Sequence, residues 1–136
     1  MYLLPFELTR SNDTIALGNT FPKNEFFELH RVQISGNATI QILCTTGPIL
    51  GTDITGQVTS SNAGETIFSG LFKVVADPKF NKDVYRLKVM KVSGTQDVVD
   101  DKDGIVFQQN RYILIKSDGP VVGNLLFKQP EGRRLV

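Results

Sequence analysis

Two side chains in the sequence have the chemistry of a nucleophile and a general base. They are Cys44, the only cysteine, and His30, the only histidine. A thiolate activated by an imidazole can attack a carbonyl carbon when a third group orients the base. However, Cys44 alternates with Ile40 and Ile42, which predicts a buried thiol that behaves as a small inert hydrophobe. The sequence also lacks a G-x-S-x-G motif and a phosphate-binding glycine loop, so we expect a non-enzymatic protein without a cofactor.

An acidic cluster before Gly104 has the ligand type that calcium prefers. Its members are Asp97, Asp100, Asp101 and Asp103. Calcium binds several hard oxygen atoms that a turning loop brings together. Aligning Gly104 with the glycine of an EF-hand puts Val99 at the first ligand position and Asn110 at the bidentate position, which excludes an EF-hand. We favour a solvated turn between strands, with a looser calcium loop as the alternative.

Positive charge is concentrated in one segment and in a basic pair near the end of the chain. These residues are Lys73, Lys79, Lys82, Arg86, Lys88, Lys91, Arg133 and Arg134. Proteins that bind single-stranded nucleic acid interleave aromatic side chains with their basic residues, and no such interleaving is clear here. The net charge is also only +1. We therefore expect no nucleic-acid partner. We interpret the cations as an interaction surface that could meet the acidic cluster of another subunit, with ordinary solvated charge as the alternative.

The elements that must position these side chains are strands. Segments rich in β-branched and aromatic residues recur along the chain, and turn-prone clusters separate them. They cover residues 26–34, 38–46, 65–75, 84–94, 104–108, 111–117 and 121–129. Their period-two alternation predicts an all-β fold with little helix. We expect an antiparallel β-sandwich, and the sequence leaves open whether its topology is a jelly roll or immunoglobulin-like.

Two of these segments have features that predict their local geometry. Ser35-Gly36-Asn37 predicts a hairpin between residues 26–34 and 38–46, because Gly and Asn tolerate positive φ. We favour this turn over a sugar site, although Asn37-Ala38-Thr39 fits the glycosylation acceptor pattern. In residues 84–94 the alternation reverses, which predicts a bulge near residues 89–91 or, alternatively, burial on both faces with Lys88 at an edge.

The length of 136 residues fits a single domain, residues 1–136. The apolar start has no basic leader and is interrupted by Pro5 and Glu7, so we expect neither an export signal nor a membrane span. We interpret residues 1–20 as an N-terminal arm, with two further strands as the alternative, the first of which Pro5 would place at a sheet edge or start. Residues 129–136 are interpreted as a C-terminal tail.

Three stretches are similar in strand and turn rhythm to small all-β virion proteins of tailed bacteriophages. They read ISGNATIQILCTTGP, YRLKVMKVSGT and RYILIKSDGPVVGNLLFK. The likeness covers most of residues 26–128 without a signature motif, so it transfers no functional residue. It implies a jelly roll or related sandwich that decorates heads or joins tail parts.

We accordingly expect a structural or assembly protein that is made in the host cytoplasm and carried in a virion. The resemblance implies a head decoration, minor capsid or tail part that works through protein–protein contacts, with a homo-oligomer and other virion proteins as partners. The alternative is a ligand- or receptor-binding β module whose site is formed by loops 47–64 and 95–104.

Overall fold

The computed structural model describes residues 1–21, 26–60, 71–79 and 83–128. In these residues the chain is almost entirely antiparallel β-structure, which confirms the predicted all-β class. The arrangement is sandwich-like, a curled sheet that forms a half-barrel, and a short 3-10 helix covers Thr55–Gln57. The strands are β1 (Tyr2–Leu8), β2 (Thr14–Asn19), β3 (Phe27–Thr46), β4 (Leu50–Asp53), β5 (Thr59–Ser60), β6 (Phe72–Lys79), β7 (Tyr85–Val99), β8 (Ile105–Phe107), β9 (Arg111–Ser117) and β10 (Val121–Lys128).

Strand β3 organises the sheet because its length lets it pair with several strands. On one edge it pairs with β8 and β7, and on the other edge with β10 and then β9. From β10 the sheet continues to β1 and β5, and from β9 it continues to β2, β6 and β4. The first half of β3 therefore belongs to one portion of the sheet and its second half to the other. Side chains from both portions meet in a common core.

Both long strands bend where two glycines are paired. Gly36 of β3 lies opposite Gly94 of β7, and their φ angles are 153° and 83°. Glycine adopts such angles without the steric cost that a side chain brings, so β3 and β7 can turn together from one sheet portion into the other. The predicted hairpin at residues 35–37 is therefore wrong. The backbone freedom of Gly36 bends a continuous strand instead of reversing the chain.

Strand β7 contains bulges, but not at the predicted position near residues 89–91. Lys88 and Arg86 pair with consecutive residues of β3, which leaves Leu87 between them without a partner residue. Val98 is skipped in the same way further along β7. The reversal in the sequence pattern thus arises from a bulge closer to the start of the strand.

Residues 1–20 are integrated into the sheet, so their interpretation as an arm is wrong and the alternative of two strands is correct. β1 pairs with β10 along its whole length, and β2 lies between β6 and β9. Leu4 and Leu17 are fully buried in the common core, which is why these strands cannot detach at low cost. Pro5 lies on β1 beyond the two residues that pair with β5, which confirms its predicted edge position. Residues 129–136 and 65–70 lie outside the described residues.

The core is centred on aromatic rings contributed by both portions of the sheet. Tyr2 on β1, Phe27 on β3, Phe72 on β6 and Phe127 on β10 contact one another with ring centroids 4.9 to 6.4 Å apart. A smaller apolar cluster forms on a separate face of the sheet. It contains Ala16, Leu43, Ile49, Val75, Tyr112 and Leu114. Because the second half of β3 contributes to both clusters, it is buried on its two faces.

Candidate protein interaction surface

The two side chains with nucleophile and base chemistry do not form a site. Cys44 lies near one end of β3 and His30 near the other, on opposite sides of the bend at Gly36. His30 instead has its Nδ1 3.4 Å from Glu28 Oε2, and Lys128 Nζ lies 3.6 Å from the same carboxylate oxygen. A Cys–His pair depended on the hairpin, and the continuous strand separates its members.

Cys44 is only partly buried, so the prediction of a fully buried thiol is wrong. Its side chain packs against the common core, as its alternation with Ile40 and Ile42 predicts, but it also lines a surface cavity. Burial raises the pKa of the Cys44 thiol above its ordinary value, and the Arg111 guanidinium partly opposes this by favouring the thiolate. The thiol is therefore a weaker nucleophile at neutral pH than an exposed cysteine would be.

The acidic cluster is distributed over several contacts. Asp97 and Asp101 lie near Arg31, at 4.0 Å from its Nε and 3.9 Å from its terminal nitrogen respectively. Asp100 accepts the backbone N–H groups of Lys102 and Asp103 through its Oδ1, which closes the turn after β7. Among the described residues, no three His, Cys, Asp or Glu side chains form a group that could hold a metal ion. The geometry of this loop is that of a capped turn.

The structure separates the predicted basic surface into two parts. Arg86, Lys88 and Lys91 lie on β7, whereas Lys73 and Lys79 lie on β6, on the far side of β3, β9 and β2. Lys82, Arg133 and Arg134 lie outside the described residues. The three cations on β7 are therefore the larger of the two described parts.

Exposed apolar side chains accompany these cations on β7. Tyr85, Leu87 and Val89 are 62%, 49% and 47% exposed, so the alternative of burial on both faces of this segment is wrong. Lys88 Nζ donates a hydrogen bond of 2.7 Å to the Val98 carbonyl, so one of its N–H groups already has a partner within β7. In the part of the chain that the structure describes, no carboxylate is recorded within ion-pair distance of Arg86 or Lys91. This segment of apolar and cationic side chains is called the β7 edge, residues 85–91.

The backbone of the β7 edge also has a side without a strand partner. In the described chain, β7 pairs with β3 alone. Ser117 of β9 donates its N–H to the Asp13 carbonyl, away from Ile40, so the backbone groups of Ile40 point to Met90 of β7. Since these groups alternate in direction along a strand, Val89 and Lys91 present theirs to the open side. Ser93, two residues further on, follows this alternation and donates its N–H to the Gln96 side chain.

A cavity of about 360 Å³ opens beside the β7 edge. It lies between the start of β7 and strand β8, where the two portions of the sheet diverge. Its lining is mostly apolar. It comprises Phe26, Cys44, Leu87, Ile105, Val106, Phe107, Gln108, Arg111 and Ile113. An apolar side chain delivered along the β7 edge could enter this cavity next to Leu87.

Among the described strands, the open edges of β1 and β4 are protected. β1 has Pro5 in its open part, and proline cannot donate a hydrogen bond to an added strand. β4, at the opposite end of the sheet order, is short and runs only from Leu50 to Asp53. Short edge strands and edge prolines are common devices against strand addition. The β7 edge has neither device, and its cations and the bulge at Leu87 oppose pairing with a like-charged strand.

A larger cavity of about 630 Å³ lies beside β1. Ile54 and Gln57, from the predicted ligand-binding loop 47–64, contribute to its lining together with Phe6 and Leu8. None of the residues 95–104, the second predicted loop, lines it. The two loops of the ligand-binding hypothesis therefore do not converge on this cavity, and residues 61–64 lie outside the described chain.

Comparison with known proteins gives no relative from which this chain could be classified. No protein-family description, curated protein or solved structure matches the chain. The described residues include no helix with the length and apolar character that crossing a bilayer requires. The structure assigns the chain to the all-β class, with a curled sheet that forms a half-barrel, and in the described residues β7 has an open edge with exposed apolar side chains.

Sequence reasoning located the cations of the β7 edge but missed its apolar members. Tyr85, Leu87 and Val89 alternate with Arg86 and Lys88, a pattern that does not tell whether they are exposed. The alternation identifies a strand with two different faces. It does not reveal that the neighbouring position in the sheet is empty.

Proposed function

We propose that this protein is a non-enzymatic structural or assembly protein that acts through protein–protein contacts at the β7 edge. The observation that carries the proposal is the exposure of Tyr85, Leu87 and Val89 on a strand with an open side. Exposed apolar rows on edge strands favour pairing with another chain, because both the backbone groups and the apolar side chains gain partners. The separation of His30 from Cys44 removes the Cys–His pair as a catalytic candidate.

The assembly that we propose is the virion of a tailed bacteriophage, with the protein as a head decoration, minor capsid or tail part. The support is the similarity in strand and turn rhythm described for residues 26–128. The genes that neighbour this one provide a direct check. Capsid and tail genes on both sides would support the virion proposal, whereas an unrelated metabolic operon would count against it.

The experiment that tests the contact proposal is size exclusion with light scattering at increasing protein concentration. It is done on the protein alone and on mixtures with the products of neighbouring genes. Leu87→Glu should abolish the association, because a charge replaces an apolar contact. Val122→Glu is the matched control, since Val122 is 52% exposed and lies on β10, which has a strand on both sides.

A strictly monomeric wild-type protein that binds no neighbouring gene product would contradict the assembly role. Equal association of wild type and Leu87→Glu would contradict the proposed surface. In the first case, the ligand-binding module would become the better hypothesis. The cavity beside β1 that contains Ile54 and Gln57 would then be the place to look for its ligand.

A further inference from the structure

The chemistry of the β7 edge identifies the kind of partner that fits it. This inference rests on the proposed function and deepens it. We propose that the partner is an extended segment of a different protein in which acidic and apolar side chains alternate. It adds to β7 as a further strand and places one apolar side chain in the cavity beside Leu87.

The open backbone groups favour a strand over a helix or a folded surface. Val89 and Lys91 present their N–H and C=O groups away from β3. An added strand satisfies both residues at once, which is the basis of recognition by β-strand addition. Just before these residues, the bulge at Leu87 shifts the register between β7 and β3, and the Leu87 side chain lines the cavity.

The charges of the β7 edge favour an acidic segment. Arg86 and Lys91 have no recorded carboxylate partner among the described residues, and each lies within reach of a neighbouring strand. Cross-strand pairs of opposite charge are stabilising, and like charges placed directly opposite are destabilising. An acidic residue facing each cation therefore contributes to affinity and to register.

The same charges disfavour a second copy of this edge. Antiparallel pairing of two β7 edges centred between Lys88 and Val89 places Arg86 of each copy opposite Lys91 of the other. The acidic cluster of a second copy is also a poor strand, because Asp100 caps a closed turn and Asp97 and Asp101 lie near Arg31. Self-association at this edge would therefore be weaker than binding of an acidic strand from another protein.

The cavity beside Leu87 provides the apolar selectivity of the site. Peptide recognition by strand addition gains affinity from main-chain hydrogen bonds and specificity from pockets that accept alternate side chains. Ile105, Phe107 and Ile113 line the cavity, and Val106 at its border is 40% exposed. A valine or leucine side chain suits this lining. Cys44 also lines the cavity, so its thiol reports whether the cavity is occupied.

The test measures binding of synthetic peptides to the full-length protein. One peptide alternates valine with glutamate, a second alternates valine with lysine, and a third has the first composition with a central proline. We expect the valine–glutamate peptide to bind and to slow labelling of Cys44 by a thiol reagent. The lysine and proline peptides should bind at least about tenfold more weakly, since the first meets like charge and the second cannot form a continuous strand.

Protein variants locate the binding on the β7 edge. Val89→Pro removes an N–H that points to the open side, so it should abolish peptide binding while β7 remains paired with β3. Leu87→Glu provides a second test that does not alter the backbone, with Val122→Glu as its control. Lys91→Glu should weaken binding of the glutamate peptide by more than about threefold, because it removes an exposed charge pair and places like charges opposite each other. Lys102→Glu, a change of the same charge in the exposed turn after β7, should not.

The outcomes separate this inference from the proposed function. Equal binding of the glutamate and lysine peptides, or binding that is unaffected by Val89→Pro and Leu87→Glu, would overturn the acidic-strand partner. If no peptide binds but the wild type self-associates in a manner that Leu87→Glu abolishes, the β7 edge is a contact between copies. The partner inference then fails while the proposed function stands. If no peptide binds and the wild type neither self-associates nor binds a neighbouring gene product, both fail.

Discussion

At the residue scale, the environment of Cys44 sets its reactivity. The thiol packs against the core and lines the cavity beside Leu87, and its pKa is raised mainly by burial. The Arg111 guanidinium acts in the opposite direction, because a nearby positive charge stabilises the thiolate. Burial in apolar surroundings thus lowers the reactivity of the thiol, and the charge of Arg111 raises it.

Arg111→Gln should slow the reaction of Cys44 with a thiol reagent. Removal of the guanidinium raises the pKa of the thiol further, so less thiolate is present at a given pH. A plot of labelling rate against pH should have its midpoint at a higher pH for the folded wild type than for the unfolded chain. The midpoint for folded Arg111→Gln should lie at a higher pH still. Lys116→Gln, which removes a charge elsewhere on β9, is the control. Faster labelling of Arg111→Gln, with the fold intact, would contradict the assigned balance.

A second prediction at this scale concerns the two glycines at the bend. A Cβ atom at Gly36 would lie 2.8 Å from Val121 Cγ1, whereas no atom lies within 4 Å of a Cβ atom at Gly94. Gly94→Ala should cost about 1 kcal/mol of unfolding free energy from backbone strain alone. Gly36→Ala should cost about 1–3 kcal/mol because overpacking against Val121 adds to the strain. Denaturant unfolding measures both, and a larger loss for Gly94→Ala would contradict this order.

At the element scale, β1 contributes to the fold and not to a flexible arm. Leu4→Ala should therefore lower the unfolding free energy by about 2–5 kcal/mol, the usual cost of truncating a buried leucine. Leu50→Ala, a change of the same kind at a residue that is 74% exposed, is the control and should have little effect. Thermal or denaturant unfolding provides the measurement. Equal stability of the two variants would indicate that β1 does not pack as described.

The elements also show how far the sequence determines the fold. Period-two alternation was sufficient to predict the all-β class and most strands, because the alternation follows directly from burial of one strand face. It did not determine pairing. Ser35-Gly36-Asn37 has the composition of a hairpin turn, but the paired glycines Gly36 and Gly94 bend two long strands together. Which strands become neighbours depends on contacts between distant residues that local patterns do not record.

The candidate site was predictable in the same partial way. Arg86, Lys88 and Lys91 were found because charge clustering is visible in the sequence. The exposed apolar side chains Leu87 and Val89 were not, since exposure of an edge requires knowledge of the sheet order. Whether a strand has a neighbour on both sides is decided by the order of strands in the sheet, which a local sequence pattern does not record.

At the scale of the whole molecule, the sheet ends differ in how they deal with strand addition. Pro5 protects β1, β4 is short, and the β7 edge combines open backbone groups with apolar and cationic side chains. Among the described strands, the β7 edge is therefore the one that we propose as the contact with another chain.

Amide hydrogen exchange of the β7 edge, with and without the valine–glutamate peptide, tests this claim most directly. In the protein alone, the Val89 and Lys91 amides should exchange fast and the Met90 amide slowly, because only Met90 donates towards β3. With the peptide bound, exchange at Val89 and Lys91 should slow markedly while Met90 changes little. Unchanged exchange at Val89 and Lys91 under conditions where the peptide is bound, or protection that appears on β1 instead, would contradict the β7 edge as the contact surface.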